Sequence, residues 1–186
     1  VVVALTQFGN ITTIILDNCE GYFSLPANVT VQLNNCNAYI RIARGVNLMA
    51  VDSNIYLDGT NYSNGTLPTY NFRNCVVNKT EDAAESTSYV TTSLTSFSSI
   101  MNVAFTAENA VVKNSQINKS ITTEFNDNTG NAVYYDNNIV NAAFIVRGPS
   151  TGRHHVRATW TNNTGNVPDP IFINREHLDD VEGNTT

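Results

Sequence analysis

Charge is the scarcest property of this chain: Asp, Glu, Lys and Arg make up 14% of its 186 residues, against roughly 25% in an ordinary soluble domain. The charge that is present sums to −6. That excludes binding modes built on a cationic surface, namely nucleic acid and anionic membranes. Long apolar runs are missing too. Nothing approaches the ~18 residues of a membrane-spanning helix, and VVVAL at the start is too short for the core of a signal peptide. Cysteine is rare, and Cys19, Cys36 and Cys75 fit neither a zinc spacing nor a CxxC redox pair. There is no GxSxG, HExxH, P-loop or dinucleotide fingerprint. No catalytic residue, metal site or cofactor is expected. A start at Val1 in place of Met is read as trimming of a precursor.

Asparagine and threonine fill the space that charge leaves, with 28 and 22 copies. Both are weak helix formers that favour turns and β structure. At 41% the apolar content supports a real core. Eight Asn-x-Ser/Thr sequons occur, at Asn10, Asn28, Asn61, Asn64, Asn78, Asn118, Asn162 and Asn184, where composition predicts about 5 by chance. They point to a glycosylated protein, secreted or on a particle surface.

The asparagines hide a repeat. ILDNCEGYF (15–23), QLNNCNAYI (32–40), AVDSNIYLDG (50–59), NFRNCVVN (71–78), VVKNSQIN (111–118), YYDNNIVN (134–141) and TWTNNTGN (159–166) align on Cys19, Cys36, Asn54, Cys75, Ser115, Asn138 and Asn163, with Ser93 filling the double gap. Three residues before each anchor the side chain is apolar or aromatic in all eight copies: Leu16, Leu33, Val51, Phe72, Val90, Val112, Tyr135 and Trp160. Five before, only Ser88 is polar. This is the period-2 burial of a strand with one face in a core. One residue before the anchor stand Asn18, Asn35, Ser53, Asn74, Thr92, Asn114, Asn137 and Asn162. Asparagine tolerates the left-handed backbone region better than other non-glycine residues. A chain that bends in one place every 20 residues or so, with rungs stacked ~4.8 Å apart, accounts for the three columns together.

The turn asparagines resemble those of the right-handed parallel β-helix proteins, the pectate-lyase-like superfamily. The likeness covers residues 10–175, and PDPIFIN (168–174) is similar to a closing segment of such helices. It implies an all-β parallel β-helix, a solenoid of about eight coils, with an asparagine ladder of Asn18, Asn35, Asn74, Asn114, Asn137 and Asn162 at the bend between two of three sheets. Residues 1–186 are expected to form a single solenoid domain. Within it, 1–10 serves as an N-terminal capping or exchanged strand and 168–186 as a C-terminal tail. The alternative is an Asn-rich β-sandwich, including the pilin type, with VVVALT donated to a neighbour.

Stacking places Cys19 and Cys36 on adjacent coils, within reach of a disulfide, while Cys75 stays free. Asp17 and Asp52 share one column two before the anchor, a weak calcium candidate. GRHHVRATW (152–160) offers Arg153, Arg157 and Trp160 as a sugar or phosphate edge, set against a plain strand entry with Trp160 in the core. EDAAES (81–86) reads as a short helix or an acidic loop. The lyases of the superfamily that the chain resembles use acidic calcium ligands with a basic neighbour, and no aligned column carries that set. The outward column four before the anchor is rather apolar and suggests a covered face. The expected function is a non-enzymatic extracellular structural or adhesive glycoprotein, a subunit of a surface fibre, coat or spike. It would self-associate or bind other surface proteins, with glycans as further partners. The rival is a polysaccharide-binding or polysaccharide-degrading β-helix protein.

Overall fold

The computed structural model describes residues 2–4 (backbone), 11–59, 65–84, 87–125 and 131–181. Every strand pairing among them is parallel. That excludes the antiparallel sandwich and establishes a parallel β-helix. No helix among the described residues is long and apolar enough to cross a membrane.

Each rung approaches a sharp corner on one strand and leaves it on another. The approach strands begin with Thr13–Asp17, Thr30–Asn34, Asn47–Val51 and Thr69–Arg73, then lengthen to ten residues at Ser88–Phe97 and Ala104–Lys113. Asn131–Asp136 and His154–Thr161 complete the series. The departing strands run in register from Glu20–Ser24 through Asn37–Arg41, Asn54–Leu57 and Val76–Lys79 to Thr164–Gly165. From Ser88 onward the first halves of the long strands start a third limb. It continues through Ile121–Glu124, Phe144–Arg147 and Ile171–Ile173.

The chain ends take part in this stack. Val2–Ala4 pairs in parallel with Glu20–Ser24 of the same chain. Ile171–Ile173 and Leu178–Val181, in the stretch expected as tail, add strands beside Phe144–Arg147 and His154–Thr161. Their apolar residues supply the reason: Leu178 is buried, and Phe172 packs on Trp160 with centroids 5.4 Å apart.

The corner residues all take left-handed φ: Asn18, Asn35, Asp52, Asn74, Ser98, Asn114, Asn137 and Asn162, between 50° and 54°. Two rungs therefore differ from the alignment. Asp52 makes the third bend where Ser53 was expected, and Ser98 the fifth where Thr92 was expected. Ser53 and Ser99 are the true anchors. In the third rung the shift by one puts Leu48 and Ala50 inside and leaves Met49 and Val51 exposed. A one-residue slip exchanges the two faces of a strand, and NLMAV is apolar on both, so its pattern did not mark the register. In the fifth rung the ten-residue strand gave two equally alternating choices, and Leu94 and Ser96 occupy the core columns.

The anchors face inward and solve a backbone problem. At the corner an N–H points into the core with no strand to receive it, and such a group left unpaired is costly. The next rung's anchor accepts it. Cys36 N–H donates to Ser53 Oγ (3.0 Å), Cys75 to Ser99 Oγ (3.1 Å), Ser99 to Ser115 Oγ (3.2 Å), Ser115 to Asn138 Oδ1 (2.9 Å) and Asn138 to Asn163 Oδ1 (2.9 Å). Outside the same corner, Asn35 Nδ2 donates to Asn18 Oδ1 (2.7 Å), Asn74 to Asp52 (2.6 Å) and Asn137 to Asn114 (2.7 Å). The bend thus carries two ladders back to back, one buried and one exposed.

Candidate functional site

Cys36 and Cys75 belong to the buried ladder, and the partly exposed Cys19 holds the same position in the first rung. The thiols of Cys19, Cys36 and Cys75 reach the carbonyl two residues back at 3.2–3.3 Å. Ser53, Ser99 and Ser115 do the same with their hydroxyls at 2.7–3.0 Å. All three thiols are free, so the structure does not contain the Cys19–Cys36 bond that stacking allows. Burial pushes the Cys75 thiol up, against the pull of its backbone hydrogen bonds. The three cysteines repeat the serine hydrogen bond in a tight corner.

The other expected sites disperse. Asp17 accepts from Asn34 Nδ2 and Asp52 from Asn74 Nδ2. With the register corrected they lie in different columns, and no group of three metal-ligating side chains occurs among the described residues. Trp160 faces the core and packs on Phe172, whereas Arg157 is exposed on the opposite face of its strand. Arg153 pairs with Asp179 at 3.3 Å. The sugar or phosphate edge is therefore not assembled. Residues 81–84 of the acidic stretch form a turn, closed by Ala83 N–H on Thr80 O (3.1 Å). Of the sequons, Asn28 and Asn162 sit exposed in left-handed turns. Asn78 and Asn118 lie three after an anchor, where their amides bond Asn54 and Asn102 at 3.1 and 2.7 Å. Asn10, Asn61, Asn64 and Asn184 lie outside the described residues.

The position three after the anchor is where the molecule builds something. It reads Tyr22, Tyr39, Tyr56, then Asn78, Asn102, Asn118, Asn141 and Asn166. Counted from the true anchors, the spacing is uniform. Residues two apart on a strand share a face, so this column stands on the outside, beside the buried Ala38, Ile55 and Val77. In the later rungs it is an amide ladder: Asn102 Nδ2 to Asn78 (2.9 Å), Asn118 to Asn102 (2.7 Å) and Asn141 to Asn118 (2.8 Å). In the first rungs it is aromatic. Tyr39 and Tyr56 stack with centroids 4.5 Å apart and planes 10° from parallel, and Tyr22 is the strand partner of Tyr39.

Beside this aromatic ridge lies a cavity of about 730 Å³. The three tyrosines line it together with Asp58, with Lys79 at the end of its strand and with Glu81 and Asp82 of the turn that follows. Tyr22 donates its hydroxyl to Asp58 Oδ2 at 3.1 Å, and Asn54 Nδ2 donates to the Tyr56 oxygen at 3.0 Å. Burial, and then the hydrogen bond and charge of Asp58, raise the Tyr22 phenol. Arg41 Nε stands 3.8 Å from Asp58. Lys79 Nζ donates to Ala83 O (2.9 Å) and ties the turn down. The turn passes so close that a Cβ on Gly59 would stand 3.3 Å from Ala83 Cα. Aromatic rings with fixed polar groups around one concavity are the usual composition of a ligand site.

A second cleft of about 690 Å³ opens among Glu124, Arg147, His154 and Asn174, with Arg147 and Glu124 paired at 3.3 Å. No known protein family matches the chain, and no curated protein or solved structure does either.

Proposed function

We propose that the protein is a non-enzymatic extracellular adhesive protein whose β-helix holds a tyrosine-lined groove against saccharide chains. One observation carries this reading: Tyr22, Tyr39 and Tyr56 follow one another on successive rungs, the last two with stacked rings, and line a cavity that Asp58 lines as well. Tyrosine offers apolar ring surface for the C–H face of a sugar and a phenol for its hydroxyls. Stacking on a neighbour removes the rotamer freedom that binding would otherwise have to freeze. Tyr39 keeps 39% of its surface in solvent, an unusual place for an aromatic ring unless something else covers it. The sequons and the low charge fit a surface protein. The likeness to pectate-lyase-like β-helices, including their right-handed coil, is an analogy of architecture and says nothing by itself about activity.

A glycan array followed by calorimetry tests the reading. Retention of a saccharide by the native chain, lost in Tyr39→Ala, supports it. A chain that retains none, or a Tyr39→Ala variant that binds as well as the parent, overturns it.

A second reading, a fibre subunit made by stacking of copies, is favoured by the first rung. Ile15 there is 57% exposed, and Ile14 and Leu16 are only half buried although they stand in core columns. Electron microscopy at high concentration tests it: dispersed monomers count against a fibre.

A further inference from the structure

We propose that Asn78 and Asn118 are N-glycan acceptors that keep their places in the outer amide ladder, so that two glycans stand on alternate rungs of the departing strands. The inference rests on the extracellular setting of the proposed function and not on its saccharide groove.

Both are sequons, Asn78-Lys79-Thr80 and Asn118-Lys119-Ser120. They fall in one outward column with Asn102 between them, and each keeps part of its surface in solvent. Asn102 and Asn141, their neighbours in the ladder, are followed two residues on by Ala104 and Ala143, so neither is an acceptor. The sequons therefore occupy every second rung of this stretch. Rungs repeat at ~4.8 Å, so glycans on successive rungs would crowd each other, and a free rung between them doubles the room.

Attachment removes one hydrogen of the amide. The donor is an oligosaccharide linked to a lipid pyrophosphate. Nδ2 bonds to the anomeric carbon of the first sugar, and the bond from that carbon to the pyrophosphate oxygen breaks. The lipid pyrophosphate leaves with the electron pair, one Nδ2 proton is released, and the nitrogen keeps one hydrogen. As in a trans peptide, the bulky substituent takes the oxygen's side of the C–N bond, and the remaining N–H points opposite to the C=O.

That remaining hydrogen is the one the ladder uses. Asn78 Oδ1 accepts from Asn102 on the following rung (2.9 Å), and Asn78 Nδ2 donates to Asn54 on the preceding one (3.1 Å). Asn118 accepts from Asn141 (2.8 Å) and donates to Asn102 (2.7 Å) in the same sense. In each amide the C=O and the donated N–H point opposite ways along the stack. The sugar replaces the other N–H, which points away from Cβ and so out of the sheet, where side chains stand roughly upright. Asn78 is the strand partner of Tyr56, so the glycosylated stretch of the column begins where its aromatic stretch ends. The glycans shield the part of the sheet where the strands shorten to Ile100–Met101 and Gln116–Ile117.

The test secretes the full chain, behind a cleavable leader, from cells restricted to oligomannose glycans. An endoglycosidase that leaves one sugar on each occupied asparagine trims it, and peptide mass spectrometry is expected to find that sugar on Asn78 and Asn118 in most molecules. Two double variants from the same host then calibrate the ladder in thermal melts, with the remaining sequons alike in all three chains. Thr80→Ala, Ser120→Ala removes both acceptor motifs and leaves both amides. Asn78→Asp, Asn118→Asp removes the glycans and the two donors together. The trimmed parent should melt at or above the first variant, and the second should melt about 2–8 °C below it. An empty Asn78 or Asn118 overturns the proposal. So does a trimmed parent that melts below the Thr80→Ala, Ser120→Ala chain, since glycan and ladder then exclude each other. An aspartate variant that melts with that chain overturns it too, because no ladder bond is then at stake. A blank glycan array strikes the groove alone and leaves these outcomes unchanged.

Discussion

The rungs anchored at Cys36 and Ser53 and those from Cys75 onward share one corner but divide their residues differently. The early rung spends 17 residues on two five-residue strands and a tight turn. That turn closes at Gly45, where φ is 65° and a Cβ would run into Asn28 Oδ1. The rung from Ser99 to Ser115 is one residue shorter, at 16, yet it has a two-residue departing strand and a ten-residue strand that turns into the third limb. Besides Phe23 in the first rung, the early interior holds Val31, Leu33, Ile40, Leu48, Ala50 and Leu57, whereas the later one gathers Tyr70, Phe72, Tyr89, Phe105, Tyr135 and Phe144. In the early rungs the stacked rings of Tyr39 and Tyr56 stand outside instead. The two regions thus place most of their aromatic rings on opposite sides of the same wall.

The largest effect that separates the two sets of rings is expected in alkali. Burial pushes the phenols of Tyr70, Tyr89 and Tyr135 far above their ordinary value of 10.0. Unfolded, they release their protons near that value. The folded state therefore binds more protons above it, so stability is full below pH about 10 and falls as pH rises further. A phenolate absorbance titration should show these three tyrosines ionising only together with unfolding. Their reversible ionisation in the folded chain would break the contrast.

Next come core substitutions in one column. Phe72→Ala removes a fully buried ring and should cost about 3–5 kcal/mol in denaturant unfolding. The reverse change in the early rung, Ala50→Phe, should also destabilise, by about 1–3 kcal/mol or more, because Ala50 is fully packed. A neutral Ala50→Phe shows that the early interior has room for a ring.

Asn138→Ala takes the acceptor from the Ser115 N–H and the donor from Val112 O. It should cost about 1–3 kcal/mol, because both groups stay buried. Exchanging Cys75 for Ser should be nearly neutral, since the hydroxyl repeats the bond of the thiol to Arg73 O. At the exposed half of the corner, Asn35→Ala must hold φ near 51° without the polar side chain that eases the left-handed region and links to Asn18, at about 1–2 kcal/mol. Asn35→Gly should lose less. Tyr39→Ala should also cost little stability, under about 1 kcal/mol for one cross-strand stacked pair, although saccharide binding should vanish with it. Thermal melts of these variants in parallel give the ranking.

The corner was legible from the chain because few residue types accept left-handed φ, and asparagine marks six of its eight positions. The tyrosine ridge was not. With Asn54 taken as the third anchor, Tyr56 falls two residues after it while Tyr22 and Tyr39 fall three after theirs, and the column dissolves. A larger slip in the fifth rung, from Ser99 to Ser93, hid Asn102 among the amides. Both errors arose where the backbone bends at Asp52 and Ser98, residues that adopt the corner without announcing it. The two-faced apolar strand NLMAV offered no pattern to correct the first, and the ten-residue alternation of Ser88–Phe97 none to correct the second.

By itself, then, the sequence determined the repeat, the bend and the all-β stack, because each depends on the local backbone preference of asparagine and on period-2 burial. Tertiary structure alone decided the register of the third and fifth rungs, the free thiols in a buried serine-like ladder, and the meeting of three tyrosines with an acidic turn. Those depend on which hydrogen bonds the neighbouring rung completes and on how much room its path leaves inside, and neither is encoded within a single rung.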